Sequence, residues 1–305
     1  MNRNHALDLP VTGESINYEM NRSRSLKNGC PKAIILAGVC AFMPVWASAA
    51  PITFNTALPV SEGEIILREQ FIFTDASGPD VDIDAFTALT VGGYGITPKW
   101  SVFGVLPLTH IDTEISGLSS DTFGLGDAVL FSRYEIFRHD NRGATTRIAP
   151  LFGIRVPTGE DGQTGDGSVD IFGGLIATVA TTKFNFGSQL VYTANREADG
   201  VEAGDTIAFD ASLQYRLWPQ KLSAETRGFL FGVLEGNITR QDDTRFGGVT
   251  NPETSGTSFS LSPGVQYVTQ RWIVDLAVTL PVADSFSNNS VRPDYSVLTS
   301  IRVNF

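Results

Sequence analysis

Beyond its first 49 residues the chain holds two histidines, His110 and His139, and no cysteine, because Cys30 and Cys40 both precede that point. Zinc and copper sites usually draw three or four converging nitrogen or sulfur ligands, so no metal site is expected from this set. His139 lies in Arg138-His139-Asp140-Asn141, a turn-forming run that reads as solvated. His110 could activate a serine, but no serine stands in a nucleophile motif, and no catalytic residue is expected. Gly159-Glu160-Asp161-Gly162-Gln163-Thr164-Gly165-Asp166-Gly167 sets carboxylates among glycines, an oxygen-rich composition suited to Ca²⁺. Its spacing departs from the helix–loop–helix pattern, and a hydrated hairpin tip is the expected reading. Gly124-Leu125-Gly126-Asp127 precedes a strand, so it lacks the helix N-terminus that lets a glycine loop bind phosphate. No cofactor is expected. What remains is charge set among apolar residues, chemistry that orients or excludes a solute.

Such charges need an element that turns them all one way, and from Glu64 onward the apolar pattern repeats every two residues, the period of a strand. In the clearest case Trp272, Val274, Leu276, Val278 and Leu280 alternate with Ile273, Asp275, Ala277 and Thr279. The expected strands are 64–74, 82–96, 100–111, 125–137, 145–157, 168–181, 184–195, 205–217, 223–236, 257–268, 271–283 and 294–305. At 11 to 15 residues they exceed the five or six typical of soluble sheets and suit the roughly 9 to 11 that cross a bilayer at a tilt. Tight turns at 97–99, 182–183 and 269–270 alternate with polar loops at 112–124, 158–167, 196–204, 237–256 and 284–293, the habit of outer-membrane barrels. The expected fold is all-β: a transmembrane antiparallel β-barrel of about 12 strands, of the bacterial outer-membrane type. A soluble sandwich shares the alternation but not the strand length. Pro150 and Pro263 fall inside two of the strands, where each removes a ladder donor.

Ahead of the strands, the apolar run Ala33–Trp46 follows Arg22, Arg24, Lys27 and Lys32 and precedes Ala47-Ser48-Ala49, the order of a secretory signal. The expected boundaries are a signal peptide over 1–49 cleaved near Ala49, a short periplasmic segment over 50–63 and the barrel over 64–305. Residues 1–19 carry Asp8, Glu14 and Glu19, unlike an export signal, so Met20 is the alternative start. Cleavage leaves 17 basic and 30 acidic side chains, a net charge of −13 that argues against nucleic acid as a partner. The expected partners are outer-membrane lipids and lipopolysaccharide, the barrel-assembly machinery and a small-molecule solute.

Arg or Lys facing lipid near the midplane costs roughly 2 to 4 kcal/mol, so the charged face of each strand is the inner one. That puts Val129, Phe131, Arg133 and Glu135 in the lumen from one strand and Arg147, Leu151 and Arg155 from the next. Asp210, Arg216, Asp275 and Arg302 join them from later strands. The lumen should hold paired charges of both signs beside an apolar patch at Val129, Phe131 and Leu151. Placing Glu225 and Arg227 inside as well turns Phe229 and Phe231 inward to extend the patch. Arg133 and Arg155 would orient a hydroxyl or carboxylate on the solute. Carboxylates such as Asp112, Asp121, Glu160 and Asp243 crowd the long loops and predict an acidic outer mouth.

Four blocks carry a resemblance: Tyr94-Gly95-Ile96-Thr97 entering a turn, Leu106-Pro107 closing the next strand, Gly124-Leu125-Gly126-Asp127 opening a strand that reaches Tyr134, and Pro150 through Val156-Pro157-Thr158-Gly159. In that order they resemble the outer-membrane "phenol meta-pathway degradation-like" family. The resemblance implies a barrel and permeation of small molecules. The expected function is passive or facilitated uptake of small aromatic or hydrophobic molecules. Its rivals are a structural or adhesive barrel with a plugged lumen and a lipid-modifying enzyme.

Tyr295, Val297, Thr299, Ile301, Val303 and Phe305 alternate with Ser296, Leu298, Ser300, Arg302 and Asn304. This final amphipathic strand looks like the signal read by the assembly machinery, with Tyr295, Val303 and Phe305 as its expected contacts. Deleting Phe305 should deplete the heat-modifiable folded band and induce envelope stress, and normal folding of the truncated chain would refute the assignment.

Overall fold

The computed structural model describes residues 49–160, 164–223, 225–287 and 290–305. Apart from Ala49, the expected signal peptide lies outside the described residues, as do the alternative start at Met20 and Asp161 to Gln163 of the glycine-rich loop.

Twelve antiparallel strands close into a barrel. They are β1 (Ile65–Gly78), β2 (Val81–Thr97), β3 (Trp100–Ile115), β4 (Ala128–Tyr134), β5 (Ala144–Val156), β6 (Asp170–Thr181), β7 (Phe184–Ala194), β8 (Thr206–Trp218), β9 (Gly228–Gln241), β10 (Gly256–Thr269), β11 (Trp272–Asp284) and β12 (Arg292–Asn304). Each pairs with its neighbours in sequence, and β1 pairs with β12 from Ile66↔Asn304 to Ser77↔Arg292, leaving no free edge.

Alternation sorts the two faces. Leu130, Phe152, Leu213 and Leu276 stand 46% to 69% exposed on the outside, where hydrocarbon replaces water, while Arg133, Leu151, Asp210 and Asp275 are buried inside. Aromatic rings gather at the end that carries the tight turns. Phe184 packs on Tyr215 at 5.0 Å, Tyr267 on Trp272 at 5.3 Å, and Trp100 Nε1 donates to Ser132 Oγ at 2.7 Å. Rings with an apolar body and a polar handle suit the membrane boundary.

Several expected boundaries move. Residues 112–124 are not a loop: β3 continues to Ile115, and Leu118–Leu125 returns along it through Ser116 and Gly117, whose φ values of 50° and 81° make a two-residue hairpin turn. The expected strand 125–137 is interrupted at Gly126-Asp127 and again at Glu135-Ile136, after which Phe137–Asn141 pairs with the start of β5. The expected strand 223–236 begins instead at Gly228, because Thr226 N–H bonds Ser223 C=O in a turn. β9 then runs into the expected loop 237–256, where Thr244–Phe246 and Val249–Asn251 form a further hairpin beside Val201–Glu202.

The strand prolines sit where ladder pairing lapses. Pro263 lies between Leu261↔Leu280 and Gly264↔Ala277, with no partner on β11, and Pro150 lies between Ile148↔Phe137 and Leu151↔Arg133, opposite the break at Glu135-Ile136. A residue without an N–H is tolerated where none is required.

Leu213→Arg sets a charge in the lipid-facing band and should lower stability by about 2 to 4 kcal/mol. Leu118→Arg, at the hairpin tip, should change it by less than about 0.5 kcal/mol. Urea titration of folding into vesicles measures both.

Candidate functional site

The lumen holds its own chain. Ala49 to Val60 carries no charged residue, and it runs through the half of the barrel nearest the tight turns, where Ile52, Phe54, Thr56, Leu58 and Val60 are at most 2% exposed. The structure therefore places this stretch inside the barrel, where a periplasmic segment over 50–63 was expected. An uncharged run gains little from water, and the wall offers it partners.

Those partners address its backbone. Gln266 Oε1 accepts the Ala50 N–H at 3.0 Å, Gln189 Oε1 that of Asn55 at 3.2 Å, Thr178 Oγ1 that of Ala57 at 2.9 Å and Ser101 Oγ that of Val60 at 2.9 Å. Glu235 takes the N–H groups of Ile52 and Thr53 at 2.7 and 2.8 Å. Arg68 donates to Ile52 O at 3.1 Å and Arg133 to Thr56 O. An extended chain without a strand partner would bury these groups unpaired, at a cost comparable to a lost hydrogen bond each.

The expected apolar patch exists and the plug covers it. Val129 and Phe131 join Phe103, Val105, Leu58 and Val60 in one cluster, with Phe103 stacked on Phe131 at 4.8 Å and Phe131 6.4 Å from Phe172. Leu151 packs with Ala57 and Ile176, and Phe229 and Phe231 with Ile52. Phe229 and Phe231 do face inward, but Glu225 and Arg227 are exposed ahead of β9.

The charged candidates have local partners around the wall, ionic for some and neutral for others, and do not converge on one point. Glu135 binds Arg147 at the turn end, and Asp210 accepts from Gln189 at 3.2 Å and from Asn237. Asp275 takes Ser300 Oγ at 2.7 Å beside Arg68 at 3.5 Å, while Arg155 lies 3.4 Å from Asp170 and 3.7 Å from Asp166. Arg133 lies 4.3 Å over the Phe103 ring and Arg216 6.0 Å over Phe229; Arg302 is buried. Outside the barrel wall, the Thr145 hydroxyl, with Arg138 and Arg147, holds the Asp140 carboxyl below its ordinary value. At the opposite rim Asp75, Asp84, Asp112 and Asp121 stand in register across four neighbouring strand segments, the acidic mouth in its densest form.

Sequence reasoning missed Arg68, Gln189, Glu235 and Gln266. The same alternation that placed Asp275 inside would have placed each of them. On the lipid side Gly92 and Gly104 line an apolar groove with Tyr94, Leu130 and Phe152, and the groove also reaches Phe103 and Phe131.

A family described as "Putative MetA-pathway of phenol degradation" has a sequence model that matches residues 73–285. The chain belongs to that family. Among solved structures it is similar to the COG4313 outer membrane channel from Pseudomonas putida F1, with TM-score 0.61 and 12% identity over 82% of this chain and 97% of that one. It is also similar, at TM-score 0.46 and 12% identity over 80% of this chain and 100% of that one, to the β domain of the Bordetella autotransporter BrkA. At such identities the first likeness carries the barrel fold and the second carries nothing further. No curated protein matches the sequence.

Arg147→Ala leaves Glu135 buried without its cation and should cost about 3 to 5 kcal/mol, whereas Glu135→Gln with Arg147→Met should recover most of the loss. Urea midpoints of the folded barrels decide it.

Proposed function

We propose that this protein is an outer-membrane channel for passive or facilitated uptake of small hydrophobic molecules, aromatic ones among them, exported by a signal peptide cleaved near Ala49. One observation carries the reading: Phe103, Phe131, Phe172 and Leu151 project inward from a closed barrel. Water-filled pores line their lumens with polar groups, while an apolar inner face favours an apolar solute. Family membership and the channel-like neighbour support it. In this reading Val129, Phe131 and Leu151 contact the solute, and Arg155, half-exposed above them, meets its polar end. Tyr295, Val303 and Phe305 serve assembly.

A specific observation favours a second reading. Ala50 to Val60 occupies the half of the lumen nearest the tight turns, as it would in a purely structural barrel.

Phe131→Ala with Arg155→Ala should change the flux of small aromatics into liposomes at unchanged folded yield; unaltered flux would leave the structural barrel as the better account. The acidic rim should make residual ion conduction favour cations, less so at high salt. Reversal potentials across a salt gradient that report anion preference would refute the rim's role.

A further inference from the structure

The bonds between wall and plug are unequal. Those at Ala50, Asn55, Ala57 and Val60 are single and neutral, and at Thr56 the Arg133 guanidinium binds the carbonyl. At Ile52-Thr53 one carboxylate gathers three donors: Glu235 Oε1 takes the Ile52 N–H at 2.7 Å, and Oε2 takes the Thr53 N–H at 2.8 Å and its hydroxyl at 2.5 Å. Ser212 Oγ holds Oε1 at 2.8 Å, which fixes the carboxylate in the wall. From β1, Arg68 grips the carbonyl of the same residue, Ile52 O, at 3.1 Å. One short stretch of the plug is thus held from both sides, by a carboxyl that collects four donors and by a guanidinium, the densest bonding along the plug.

We propose that Pro51 to Val60 is an autoinhibitory stopper that leaves the lumen as a unit, and that Glu235 is its latch. The inference rests on the channel reading above and names its regulation. Glu235 joins the plug to β9, away from the β1 tether, so once a signal peptide is removed at Ala49 its release leaves that end held by Arg68 and by the single bond from Gln266. At the tethered end Gly63 turns the chain with φ +77°, and its N–H bonds the Gly95 C=O of β2 at 2.8 Å, which anchors the base of the plug.

Two variants break the latch from opposite sides. Glu235→Ala removes the acceptor from the wall; Thr53→Pro removes the plug's N–H and hydroxyl and leaves the wall intact. Accessibility is read by an impermeant maleimide at a single cysteine introduced as Ala57→Cys, a position now 2% exposed. Deletion of residues 51–60 serves as the open reference in planar bilayers. The expected result is labelling faster by about tenfold or more in either latch variant, the factor that loss of two or more hydrogen bonds implies, with openings that match the deletion's conductance. If the deletion conducts while both folded latch variants stay shut and unlabelled, the latch is wrong and the channel reading stands. If the deletion conducts no better than the intact protein, the channel reading falls and takes the stopper with it. Should Glu235→Ala fail to give a heat-modifiable band, Thr53→Pro alone decides.

Discussion

In hydrocarbon every backbone N–H and C=O must find a partner within the protein, and one left unpaired costs several kcal/mol. The pairing of β1 with β12 meets that demand at the last open edge, and the remaining features follow from it. A closed sheet of this strand number has an interior wider than its wall side chains alone fill. Something must occupy the remainder: water, solute or chain. Here it is chain, and its arrangement repeats the constraint at smaller scale, since a plug that forms no ladder takes its backbone partners from Gln, Thr, Ser and Glu side chains of the wall.

The inner wall therefore has two faces in one. Around the plug its polar residues read main-chain atoms, which makes the fit depend more on the plug's path than on its side chains. Between them the phenylalanines around Phe131 and Phe231 offer surface that Leu58, Val60 and Ile52 now cover. Withdrawal of the plug would expose the apolar surface and the unoccupied amides together, an amphipathic passage suited to a solute with a ring and a single polar group. Arg155 and Asp170 already face that passage from above the plug.

The strands were legible because a one-residue slip would invert every face, so the period of two is strictly imposed wherever lipid lies on one side. The inward set from Val129 to Arg302 was readable for the same reason. Strand ends beyond the membrane were not, because at Asp112 to Leu125 and at Asn237 to Asn251 water meets both faces and the apolar signal fades while the ladder continues. The plug was illegible for a different cause. Its partners are 16 to 216 residues away, and no period relates them. Only the absence of charge from Ala49 to Val60 hinted that this stretch avoids water.

The seam between β1 and β12 has a kinetic side. It joins Leu67 to Val303, so almost the whole chain must be in place before its first bond can form. Entropy of closure grows with the logarithm of loop length, about 0.6 kcal/mol for each doubling, so the roughly six doublings from a tight turn to this loop cost the seam about 3 to 4 kcal/mol at equilibrium. Its formation is another matter, because contacts of such high sequence separation are slow to find. The plug touches β3, β6, β7, β9 and β10 and is continuous with β1. A chain that seats it early would carry β1 around the circle toward β12, so that the same segment that obstructs the finished barrel acts, during folding, as the mandrel on which the sheet is rolled.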